Sequence, residues 1–85
     1  MSDKMKMLEQ KFQVVCKELS NSFTATEILD IQILIDAGEL GVAFENFCTQ
    51  LDERDVICSL DQINRLAAIG TAMGIRPIYW ENLMP

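Results

Sequence analysis

The chain predicts an all-α fold, a compact bundle of four helices plus a short C-terminal fifth helix. Three observations predict it. Between residues 38 and 55, Leu40, Ala43, Phe44, Phe47, Cys48 and Leu51 fall at i, i+3, i+4, i+7, i+8 and i+11, the spacing of one helix face. Glu45, Asn46, Thr49, Gln50, Asp52 and Glu53 fall on the opposite face. Two capping boxes, Thr24 with Glu27 and Ser59 with Gln62, mark further helix starts. No other segment offers the one β-branched run a strand partner.

The first helix is expected over residues 3–19, with Leu8, Phe12, Val15, Cys16 and Leu19 on one face. Ser20, Asn21 and Ser22 end it, because their side chains compete for backbone hydrogen bonds. Thr24 then caps a second helix, with Phe23 and Ile28 at the hydrophobic-staple positions. Ile28, Leu29, Ile31, Ile33, Leu34 and Ile35 favour a strand on local preference alone. The cap before them and Gly38 at the C′ position favour helix. Apolar residues run almost all the way round this helix, so it is expected to be the most buried.

Gly38 leaves room for a tight turn only, so the second and third helices should form an αα-hairpin. Gly41 costs helix propensity and predicts close approach of a neighbouring helix. Asp52 to Ile57 reads as an acidic corner anchored by Val56 and Ile57. Ser59 caps the fourth helix, whose inner face is read as Leu60, Ile63, Leu66, Ala67, Gly70 and Met73, with Gly74 as its stop. Small residues on that helix suit tight contact. Pro77 opens the short last helix, with Ile78, Tyr79, Trp80 and Leu83 as its packing residues. Trp80 is read as a latch on the core rather than an exposed hot spot.

At 85 residues, 49% of them hydrophobic, the whole of 1–85 is expected to form one helical domain. Thirteen acids against seven bases leave a net charge of −6. That sign repels phosphate backbones and anionic membranes but complements a basic protein, so neither direct nucleic-acid nor membrane binding is expected. An odd number of cysteines, three, and the lack of a secretory leader point to a reducing cytoplasm.

The chain has no histidine, which removes His-based triads and dyads and makes a zinc site improbable. Asp52, Glu53 and Asp55 lack the alternating oxygen ligands and central glycine of a calcium loop. Cys58 precedes a helix N-terminus, a setting that lowers a thiol pKa, but its staple position favours packing. Ser59-Leu60-Asp61 resembles the prosthetic-group site of acyl carrier proteins, though Cys58 stands where their aspartate precedes the serine, and capping accounts for Ser59. No enzyme activity, cofactor or metal is therefore expected.

Asp36-Ala37-Gly38-Glu39-Leu40-Gly41-Val42-Ala43-Phe44-Glu45-Asn46, with Met73-Gly74-Ile75 and Tyr79-Trp80, resembles the MafI-type immunity proteins of bacterial polymorphic and contact-dependent toxin systems. The resemblance covers about residues 30–83 and rests on a Gly-Glu-x-x-x-Ala-x-Glu helix, an acidic corner, a capped helix and a late aromatic pair. It implies a cognate toxin nuclease, often an EndoU-like ribonuclease, held inactive in a stoichiometric complex. It does not imply which residues make contact. On charge alone the candidates are Asp30, Asp36, Glu39, Glu45, Asp52, Glu53 and Asp55. Each is equally well a solvated charge. A small helical adaptor binding a partner peptide in an apolar groove is the alternative, and it should expose a hydrophobic patch.

Overall fold

The structure, a computed structural model, describes residues 3–83 and 85. Four α-helices follow one another: α1 (Asp3–Glu18), α2 (Ala25–Asp36), α3 (Leu40–Glu53) and α4 (Leu60–Ala72). Single 3₁₀ turns occupy Ser20–Ser22 and Pro77–Tyr79, and no strand occurs among the described residues. The expected fifth helix is thus one 3₁₀ turn. Pro77 starts it as anticipated, but too few residues remain before Trp80 turns into the core.

Both capping boxes form. The Thr24 hydroxyl accepts the Glu27 N–H while Glu27 Oε1 accepts the Thr24 N–H at 2.8 Å. Ser59 and Gln62 repeat the arrangement at 3.0 and 2.9 Å. Three helices also end alike. After α2 the N–H of Glu39 donates to Leu34 O and that of Gly38 to Ile35 O, the paired bonds of a Schellman motif. Gly74 and Ile75 end α4 in the same way, and Asp55 and Val56 end α3.

The six residues of the α3 stripe are all buried and form the centre of the core, while Val42, off the stripe, is exposed. α2 packs along α3 and α1 along α4, while α3 also meets α1. Aromatic rings link the layers. Phe12 of α1 contacts Phe44 and Phe47 at 5.7 and 5.5 Å, Phe44 meets Trp80 edge-on at 5.9 Å, and Phe23 stacks on Phe47 at 5.0 Å. Trp80 is the latch that the sequence suggested.

Several packing expectations are corrected. α2 buries only Ile31 and Ile35, and Ile28, Leu29 and Ile33 are exposed. It lies at the edge of the bundle against α3, so one face suffices for the core. On α4, Leu60 is 62% exposed and Ile69 is buried in its place. Leu60 directly follows the cap, off the stripe formed by Leu66, Ile69 and Gly70. Ile57 and Ile78 are exposed too, whereas Val56 packs against the core. Gln50, read as polar-face, is half-buried. Finally, a Cβ on Gly41 would meet nothing within 4 Å, so no helix approaches there. The close contact is at Gly70, where a Cβ would lie 2.2 Å from the Trp80 ring.

Candidate partner-binding surface

The helices divide the charge between them. α2 and α3 carry six acids (Glu27, Asp30, Asp36, Glu45, Asp52 and Glu53) and no lysine or arginine. Glu39 and Asp55 add two more at the turns that bound α3. α1 and α4 together carry four acids and five bases and are close to neutral. The net charge of −6 therefore sits on the α2–α3 hairpin.

Arg54 stands in sequence within the acidic corner but, among the described residues, forms no ion pair with Asp52, Glu53 or Asp55. Its guanidinium pairs with both Glu27 oxygens and donates to Ser22 O at 3.0 Å. Its Cζ lies 5.3 Å from the centre of the Phe23 ring. This clasp joins the C-terminus of α3 to the N-terminus of α2, the open end of the hairpin. It leaves Asp52, Glu53 and Asp55 exposed and, among the described residues, without an ion-pair partner. Asp52 and Asp55 share a groove with Val56, Ile57, Asn82 and Leu83. Asp55 holds φ at 51°, the conformation that Gly38 and Gly74 hold at the other two helix ends.

The other candidates lie elsewhere on the hairpin. Asp30 and Asp36 are exposed on α2, where Asp36 accepts a hydrogen bond from Gln32 Nε2 at 2.8 Å. Glu39 is exposed in the hairpin turn at the N-cap of α3, although its side chain caps nothing. Glu45 on α3 is half-buried. The seven residues thus do not form one cluster: Asp52, Glu53 and Asp55 share the corner, Asp30 and Asp36 share α2, and Glu39 and Glu45 stand apart on the hairpin turn and on α3.

Burial pushes the Cys16 thiol up to about 12 and raises Cys48 and Cys58 as well. Each thiol stays protonated at neutral pH, and none has the exposed, electropositive setting of a reactive thiolate. The Cys58 thiol points at Val56 O, at 3.8 Å. Among the described residues no three metal-binding side chains converge, and no helix is long and apolar enough to cross a membrane.

Two features escaped the sequence. One is the direction of Arg54, which depends on a contact 27 residues away. The other is the exposed pair Leu29 and Ile33, 58% and 55% accessible on the outer side of α2. Their signal was the apolar character of every face of that helix. Comparison of the chain with protein-family models, with curated proteins and with solved structures gave no match.

Proposed function

We propose that this chain is an immunity protein that neutralises a basic toxin nuclease by forming a stoichiometric complex through its α2–α3 side. The observation that carries the reading is the charge division. Eight acids gather on one hairpin and its turns, and the only neighbouring arginine is committed to Glu27. A nuclease cleft must be basic to hold phosphates, and such a cleft complements this surface. The resemblance of residues 36–46 and of Tyr79-Trp80 to MafI-type immunity proteins points to the same class of partner, an EndoU-like ribonuclease. The protein acts by binding and catalyses nothing.

A helical adaptor for a partner peptide is the second reading, favoured by the exposed Leu29 and Ile33. The two differ in what the partner does, and co-expression with a cognate toxin nuclease domain separates them. Wild type should protect cells, and its association should be fast at low salt and slow markedly as salt rises. Lysine at Asp52, Glu53 and Asp55 together should slow association and reduce protection while the helical signal is unchanged. Full protection and unchanged association would move the charged contact to Asp30, Asp36 and Glu39.

A further inference from the structure

We infer that the outward stripe of α2, Leu29 and Ile33 flanked by Asp30 and Asp36, is the seat for a basic amphipathic helix of a protein partner. The inference rests on the reading of the α2–α3 side as a surface for a basic protein, and it names where that partner is anchored. Leu29 and Ile33 lie one turn apart and stack on the same outward face. Asp36 falls on one side of that stripe and Asp30 on the other, both exposed. Isolated apolar residues on a surface need no explanation, but a stacked pair on a helix that already has its core face does. Ile28, 42% exposed, lies off this stripe, on the far side of Gln32 and Asp36, and lines a separate groove of about 380 Å³ between α1 and α2 with Ile31, Ile35, Phe47 and Lys17.

Charge selects the occupant. A second copy seated α2 on α2 would set Asp30 and Asp36 against their own counterparts, and its lysine-bearing helix α1 already spends its apolar face, Leu8, Phe12 and Val15, on its own core. An acidic helix is repelled by the same carboxylates. A helix with leucines at three- and four-residue spacing and lysines or arginines beside them satisfies both the stripe and the carboxylates. Charges at the acidic corner then set the rate of encounter, while the α2 stripe sets the lifetime of the complex.

The test uses the intact chain and a synthetic 18-residue leucine/lysine amphipathic helix, with its acidic counterpart and a same-composition scramble as controls. Affinity is measured calorimetrically, and the site is mapped by amide chemical-shift changes. The basic helix should bind and shift the amides of residues 28–36, and the L29Q/I33Q variant should bind it at least about tenfold more weakly. Both residues are exposed, so the variant should keep its helical signal. L29Q alone, with a smaller loss, covers a double variant that fails to fold. Equal binding of the scramble, undiminished binding by the variants, or shifts confined to residues 52–57 or to α1 and α4 would overturn the proposal. So would a wild-type dimer that L29Q/I33Q dissociates, which would make a second copy the occupant. If these results fail while corner reversal still abolishes protection from the toxin, the immunity reading stands and only the α2 seat is lost.

Discussion

Two glycines show at the scale of single residues why helical spacing and packing are separate questions. Gly70 stands where the Trp80 ring crosses α4, and a Cβ there would lie 2.2 Å from that ring and 2.9 Å from Phe44. Neither aromatic ring has room to retreat, since Phe44 is fully buried and also touches Phe12. Gly70→Ala should therefore destabilise the protein by about 1–3 kcal/mol, the range for overpacking a core. Gly41→Ala should do the opposite by up to about 1 kcal/mol, because nothing opposes the added methyl and alanine is the better helix former. Thermal unfolding of the two variants checks both signs. A stabilised Gly70→Ala would mean that Trp80 is not seated against α4. From sequence, the small residues of α4 signalled a tight contact, but the contacting group, a tryptophan ten residues on, was not legible. Gly41 gave the same signal and has no such neighbour.

At the scale of elements, most of the helices were legible because local chemistry fixes their ends. The two capping boxes and the glycines after α2 and α4 all stand where the spacing put them. The face of α3 was legible too, since one uninterrupted apolar stripe leaves a single way to bury it. α2 was misread for the converse reason. Its periodicity is blurred, and an apolar residue waiting for a partner looks the same in sequence as one in the core. The end of α3 carries a further consequence. Asp55 occupies a left-handed position at φ 51°, where a Cβ is unfavourable, and its carboxylate opposes the negative end of the helix dipole. Asp55→Gly relieves both and should raise stability by about 0.5–1 kcal/mol in denaturant unfolding. If Asp55 also steers a basic partner, the same variant should associate more slowly despite being more stable. Lower stability would show that the Asp55 side chain makes a local bond worth more than the strain.

On the scale of the whole molecule, two helix pairs each carry one long-range arginine clasp, and the two pairs differ in the charge they carry. Arg54 closes the α2–α3 hairpin and leaves that side acidic. Arg65 joins α4 to α1 through Glu18, at 2.5 and 3.1 Å, while its Nε holds Asp61 at 2.9 Å. Gln62 adds a bond to Glu18 at 3.1 Å, so the amide that caps α4 also ties it to α1. The hydrogen bonds from Arg65, and then that from Gln62, hold the Glu18 carboxyl below its ordinary value of 4.5. A carboxylate whose pKa is lowered by folding contributes stability above its unfolded value and loses it as pH falls through the folded one. Glu18 is solvent-exposed, so the contribution is small and screened by salt. Its signature is the pH dependence rather than the size. The melting temperature of E18Q should fall below that of wild type at neutral pH, by an amount constant down to about pH 4.5. The gap should then close as acid protonates Glu18 in the folded protein. Melting curves of both proteins from neutral to strongly acidic pH check this, with high salt narrowing the neutral-pH gap. A gap that is absent, or that persists unchanged into strong acid, would show that α1 and α4 are held by their apolar contact alone.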